Sequence, residues 1–123
     1  MPFSFTVVKG QTRRFRFLVS VGGVVQDVGL WDAFAFTAKF NSADTDAEAV
    51  FRETLSAGGI TVVAPSTDGY IQVELAPADG AQLEDGKSYV LPADLWGTDG
   101  TGQPYRLDDG EVLVPARISR SVV

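Results

Sequence analysis

Carboxylates are the only abundant side chains in this sequence that could do acid–base or metal chemistry. The 123 residues include 16 acidic and 10 basic side chains, but neither histidine nor cysteine. Their absence excludes disulfides, thiolate metal sites, cysteine nucleophiles and histidine general bases. The serine hydroxyls therefore lack the base that usually activates them as nucleophiles.

One group of carboxylates has the alternate spacing of a calcium-binding loop. It consists of Asp44, Asp46 and Glu48. A calcium loop also needs glycine at its sixth position, where this sequence has Ala49. We therefore interpret the stretch as a solvated acidic loop and expect no metal.

A second pair of carboxylates, Asp94 and Asp99, flanks Trp96. A carboxylate-pair hydrolase is the enzymatic hypothesis that such a pair allows, provided that a cleft brings the two groups together. We rank this hypothesis last. The expectation is a protein that is not an enzyme and needs no cofactor.

Arginines form the only basic cluster in the sequence. In an extended chain, Arg14 and Arg16 share one face, opposite Phe15 and Phe17, with Arg13 preceding them. Two interpretations stay open for this cluster. It either makes an exposed strand soluble or contacts the acidic surface of a partner.

Aromatic side chains offer a further binding hypothesis. Trp31 and Trp96 are most simply interpreted as core or rim residues. In a carbohydrate-binding β-sandwich, however, aromatic rings would stack on sugars while Asp94 or Asp99 accepts hydroxyl hydrogen bonds. The candidate rings are Trp31, Tyr89, Trp96 and Tyr105. Exposure of the tryptophans separates the two hypotheses.

The charge balance limits the class of partner. Net charge is -6 and the isoelectric point is near 4.4. An acidic chain is repelled by nucleic-acid phosphates and by anionic lipid, so we expect neither nucleic acid nor a membrane as partner. The first residues lack the basic start and apolar run of a signal peptide.

Apolar residues alternate with polar ones through most of the chain, which predicts strands. The alternating stretches cover residues 3–8, 14–20, 34–40, 70–75 and 112–119. Turn residues separate them, including Gly22-Gly23, which predicts a hairpin. The pattern predicts one all-β domain over residues 1–123, an antiparallel sandwich of about 7–9 short strands. At most one short helical turn is expected, near residues 76–83.

Two smaller features complete the predicted layout. Residues 41–55 are interpreted as an excursion loop that ends in a strand from Ala49 to Leu55. Pro92 and Pro115 fall inside strand-like stretches, which predicts edge strands or bulges there.

The order of these short motifs resembles a recurrent domain of tailed-bacteriophage structural proteins, best known as the N-terminal domain of upper baseplate proteins. The resemblance rests on the ordered series, since each motif is only a strand with its turn. The series comprises residues 8–12, 14–17, 22–23, 25–31, 34–40, 59–61, 69–75, 83–89, 94–96, 102–107, 110–114 and 118–120. The sequence departs from the family's pattern at residues 90–93, where Pro92 lies.

The resemblance implies an immunoglobulin-like fold that works by attachment and has no catalytic residues. It implies a virion protein made in the cytoplasm of the host bacterium. Because no fibre segment follows Val123, we expect a capsid decoration (cement) protein or a small head or tail adaptor, with a baseplate attachment domain as the alternative. Expected partners are the major capsid, neck, tail or baseplate proteins, and copies of the chain in a homo-oligomer such as a trimer. The expected contact residues are Arg13, Arg14, Arg16, Phe3, Phe5, Arg120 and Val122.

Overall fold

The alternating stretches form strands, and the all-β sandwich predicted from the sequence is confirmed. The computed structural model describes residues 3–8, 11–41, 49–75, 83 and 87–115. Its strands are β1 (Phe3–Thr6), β2 (Arg13–Leu18), β3 (Ser20–Val21), β4 (Val24–Val25), β5 (Ala33–Ala38), β6 (Phe51–Thr54), β7 (Ile60–Val62), β8 (Tyr70–Leu75), β9 (Tyr89–Thr98) and β10 (Pro104–Val114).

Local turns account for the differences from the predicted elements. The described strands exceed the expected seven to nine because β3 and β4 are separate two-residue strands around Gly22-Gly23. Both glycines have positive φ, +59° and +81°, as the predicted hairpin turn requires. Single 3-10 turns occur at Val28–Leu30 and Ser66–Asp68. The helical turn expected near 76–83 lies outside the described residues, except for the buried Leu83.

The strands form two main sheets. One is five-stranded, in the order β1-β10-β9-β5-β6, the other is three-stranded, in the order β2-β8-β7, and β3 pairs only with β4. The described pairings are antiparallel except for β1 with β10, which is parallel. A parallel pair needs a long connection, and here almost the whole chain lies between the two strands.

Aromatic rings join the inner faces of the two sheets. Phe5 of β1 and Phe15 of β2 have ring centroids 4.0 Å apart, and Phe17 lies 6.0 Å from Phe36 of β5. The sheets thus share one apolar core, as period-two alternation requires. None of the described helical turns is long and apolar enough to cross a membrane.

The predicted edge position of Pro92 is wrong, because β9 lies between β10 and β5. The backbone amide of Lys39 donates to the Pro92 carbonyl over 3.0 Å, just after β5 ends at Ala38. The nitrogen of Pro92 points to this same side, so the missing N–H costs no bond between β9 and β10. The register shift occurs instead between Arg106 and Asp108 in β10. Pro115 directly follows the end of β10.

Candidate binding surfaces on the two outer sheet faces

The strands β5 and β8, each with a neighbour on both sides, present side chains of different size to solvent. The inner positions of both are buried, whereas β5 directs Ala33, Ala35 and Thr37 outward. The outward positions of β8 are filled by larger side chains: Tyr70, Gln72 and Glu74. The outer face of the five-stranded sheet is therefore recessed along β5, and we call this recess the trough.

The strand register sets the walls of the trough. Ala35 lies opposite Thr54 of β6 on one side and opposite Trp96 of β9 on the other. Thr37 lies opposite Arg52 and Asp94 in the same way. The small β5 side chains thus form a floor between two rows of larger polar and aromatic groups.

The trough consists of three adjoining cavities. Cavities of about 320 and 400 Å³ share Ala35, Arg52 and Trp96 in their linings. A smaller cavity of about 60 Å³ adjoins the second at Thr37 and Asp94. Together they follow β5 from Asp32 at one end to Lys39 at the other.

Only one of the two tryptophans reaches this surface. Trp96 is 42% exposed, whereas Trp31 is 7% exposed and stacks on Phe34 with ring centroids 5.4 Å apart. Tyr105 packs against Trp31 at 5.8 Å. Trp31 therefore lies in the core, as one of the two predicted alternatives states, whereas Trp96 lies exposed on the outer face of the sheet.

Polar groups inside the trough are held in place. Thr37 is 5% exposed, and its Oγ1 accepts a hydrogen bond from Arg52 Nη1 at 3.1 Å. This bond orients the guanidinium along the wall while the side chain of Arg52 stays exposed. Asp94 is half-buried on the opposite wall.

Asp99, the second predicted carboxylate, belongs to the turn between β9 and β10. Its Oδ1 accepts hydrogen bonds from Thr101 Oγ1 at 2.6 Å, from the Thr101 amide at 2.9 Å and from the Gln103 amide at 3.0 Å. The bond from the Thr101 hydroxyl, with the two amides, lowers the pKa of Asp99 below 3.8.

The geometry separates Asp94 from Asp99. Extended backbone from Asp94 to Thr98 alone spans about 13 Å. The carboxyl groups of glycosidases lie about 5–10 Å apart. The structure thus does not bring the two carboxylates together as the hydrolase hypothesis requires.

The outer face of the three-stranded sheet, which we call the arginine face, is filled by its side chains. Arg14 lies opposite Glu74, and their side chains form an ion pair of 2.7 Å. Arg16 lies opposite Gln72 and is exposed. The predicted common face of Arg14 and Arg16 is confirmed in the register of β2.

An apolar group continues the arginine face at the end of β2. Leu18 is 49% exposed and lies opposite Tyr70, which is 40% exposed. Val25 of the small hairpin is 47% exposed. Because residue 69 is glycine, the side chains of Val25 and Leu18 can pack against its backbone. A Cβ there would lie 2.5 Å from Val25 Cγ1 and 3.3 Å from Leu18 Cδ1.

The remaining predicted contact residues are placed differently. Phe3 and Phe5 are half-buried and stack at 5.3 Å against the core, so partner contact through them stays a prediction. Arg13 places its guanidinium 5.2 Å from the centroid of the Phe15 ring. Arg120 and Val122 lie outside the described residues.

Sequence reasoning missed the trough and the apolar end of the arginine face. The available signal was residue size at the alternate positions of residues 33–38, where small side chains alternate with Phe34 and Phe36. Pairing between distant strands, which puts Arg52 beside Thr37, leaves no local signal. For the arginine face, the alternation through Leu18 already indicated an exposed apolar side chain.

Neither metal-ligating residues in the described ranges nor known relatives point to a further site. Within the described ranges no three acidic side chains come together as a metal site, and Asp44, Asp46 and Glu48 lie outside those ranges. No family model matches the chain, and the search of curated proteins found no match.

Proposed function

We propose that this protein is a non-enzymatic structural protein of a tailed-phage virion that attaches to another virion protein through its arginine face. It serves as a capsid decoration protein or as a small head or tail adaptor. The observation that carries the proposal is that two exposed arginines on the three-stranded sheet adjoin an exposed apolar group, formed by Leu18 and Tyr70 of that sheet and Val25 of the neighbouring hairpin.

The composition of the arginine face suits protein docking. Interface centres are enriched in tyrosine and arginine, and an apolar group there loses water when a partner covers it. Leu18 and Tyr70 supply such a group, and their direct cross-strand register makes it contiguous. Arg14 and Arg16 supply charge next to it.

Charge favours an acidic partner. The whole protein carries a net charge of -6, yet its arginine face holds two arginines and a single glutamate, Glu74. A positive patch on an acidic protein orients that protein as it meets a negatively charged partner and speeds their association.

The resemblance to phage attachment domains supports the choice of a virion partner. A particle presents many identical sites, so weak contacts of a small domain are sufficient when neighbouring copies also touch. Copies that touch one another around a symmetry axis would form the expected trimer.

The test is binding of the purified protein to phage particles from which its gene has been deleted. We expect cosedimentation that is saturable and weakens steeply as salt is raised, because solvent-exposed charges are screened. The double variant Arg14→Glu/Arg16→Glu is expected to bind at least tenfold more weakly. The control Arg106→Glu reverses an equally exposed arginine on the other sheet and is expected to leave binding unchanged.

Two results would overturn the proposal. One is the absence of binding to the deleted particles by wild-type protein that is folded by circular dichroism. The other is an equal loss of binding in the double variant and in the Arg106 control, which would show a non-specific charge effect.

A further inference from the structure

We infer that the trough is a binding site for a neutral, linear oligosaccharide, with Trp96 as its stacking platform. The site lies on the five-stranded sheet, on the side of the sandwich away from the arginine face. It is therefore a further function, independent of attachment to a virion protein.

The shape of the trough selects an extended ligand. Its floor follows β5 from Ala33 to just beyond Ala38, a length of about 20 Å at roughly 3.3 Å per residue. The cavities of about 320 and 400 Å³ are continuous at Ala35, Arg52 and Trp96. A chain of several sugar units matches this length, whereas a single small molecule would fill only one of the cavities.

The position of Trp96 suits a sugar ring. Its indole is exposed on the wall directly opposite Ala35, where the side chain is smallest. A pyranose ring has an apolar face of C–H groups that packs on an indole face, and tryptophan gives large contact area at low entropic cost. Because the side chain of Ala35 is small, a sugar ring stacked on Trp96 has room above it.

Hydrogen-bonding groups surround this platform on both sides. Arg52 donates from one wall, Asp94 accepts from the other, and Thr54 and Thr98 carry hydroxyls beside the floor. Sugar hydroxyls both donate and accept, so they match a site that offers both kinds of group. A small number of polar groups around an apolar platform is typical of small-ligand sites.

The charges of the trough favour a neutral ligand. The charged side chains that line it are Arg52, Lys39, Arg106, Asp32 and Asp94. Arg106 is itself paired with Asp109 at 3.6 Å, so the remaining charges balance. A phosphate or a uronic acid would be attracted to one wall and repelled by the other. A proline-rich peptide, which also docks on aromatic grooves, meets a single exposed aromatic ring here instead of a row of rings.

The test is calorimetric titration of the whole protein with three neutral hexasaccharides: cellohexaose, maltohexaose and chitohexaose. We expect saturable binding of at least one, accompanied by a change in tryptophan emission. Trp96→Ala is expected to weaken that binding at least tenfold. Tyr70→Ala removes an equally exposed aromatic ring from the arginine face and is expected to leave it unchanged.

A second variant protects the test against misfolding. Ala35→Tyr keeps Trp96 but fills the floor opposite it, and it is also expected to weaken binding at least tenfold. The inference is overturned if none of the three hexasaccharides binds, or if binding persists in both variants. It is equally overturned if only an anionic polysaccharide or a proline-rich peptide binds in a Trp96-dependent manner. These results do not depend on particle binding, so failure here is distinct from failure of the proposed attachment.

Discussion

The two outer faces of this sandwich differ because β5 of the five-stranded sheet and β8 of the three-stranded sheet carry outward side chains of different size. β5 and β8 bury their inner residues in the same alternation, but β5 faces solvent with Ala33 and Ala35, and β8 with Tyr70 and Gln72. The first face is recessed and lined by mixed polar groups, and the second is filled by larger side chains and carries arginines. Inner residues thus determine the fold, whereas the size of the outer ones determines whether a face is recessed or filled.

The largest expected effect tests whether the two faces share one core. Phe36 of β5 is fully buried and contacts Phe3 and Phe17 from the other strands. Phe36→Ala should lower the free energy of unfolding by about 3–5 kcal/mol, because it leaves a cavity between the sheets. Urea unfolding followed by tryptophan emission, to which the buried Trp31 contributes, measures it. A loss below about 1 kcal/mol would contradict a common core.

The next effect comes from converting the recessed face into a filled one. Ala35→Tyr should reduce hexasaccharide affinity at least tenfold, which is about 1.4 kcal/mol. The matched control is Gln72→Tyr, at the equivalent half-buried position of β8, and it should leave affinity unchanged. Stability should change by no more than about 0.5 kcal/mol in either variant, as is usual for surface positions. Equal loss of affinity in both variants would show that the recess at Ala35 is not what binds the hexasaccharide.

A smaller effect concerns the ion pair of the arginine face. Arg14 and Glu74 approach to 2.7 Å with side chains 60% and 40% exposed. Exposed pairs contribute about 0–1 kcal/mol, so Glu74→Gln should cost no more than that, and less at high salt. A double-mutant cycle with Arg14→Gln isolates the coupling energy. A coupling well above about 1 kcal/mol would give the arginines a role in stability as well as docking.

The smallest effect concerns the turn that follows Thr98 at one end of the trough. The hydrogen bonds to Asp99 lower its pKa below 3.8 in the folded state, so its contribution to stability is present above that value. The contribution should disappear as the pH falls through the lowered pKa of the folded state. Asp99→Asn should remove this pH dependence. A stability difference between wild type and Asp99→Asn that stays constant across this pH range would contradict the assignment.

The strands could be predicted from sequence because alternation is a local property. Phe15 and Phe17 alternate with Arg14 and Arg16, and the structure places them on opposite faces accordingly. The Gly22-Gly23 hairpin was equally local, since it needs only two residues with positive φ.

The trough could not be predicted, because it depends on which strands become neighbours. The register places Trp96 opposite Ala35 and brings Thr37 and Arg52 together, although the latter two lie 15 residues apart in sequence. The edge position inferred for Pro92 failed for the same reason. A proline indicates an edge strand only where a neighbouring strand would need its N–H. The nitrogen of Pro92 faces β5, and β5 has already ended at Ala38.

The most direct test of the proposed roles of the two faces is a cryo-EM reconstruction of the phage particle to which the proposal assigns this protein. We expect density for the protein on the capsid lattice, neck or tail, with Arg14, Arg16 and Tyr70 against a virion protein and the trough around Trp96 open to solvent. Absence of the protein from the particle, or attachment through the five-stranded sheet with the arginine face exposed, would contradict this assignment.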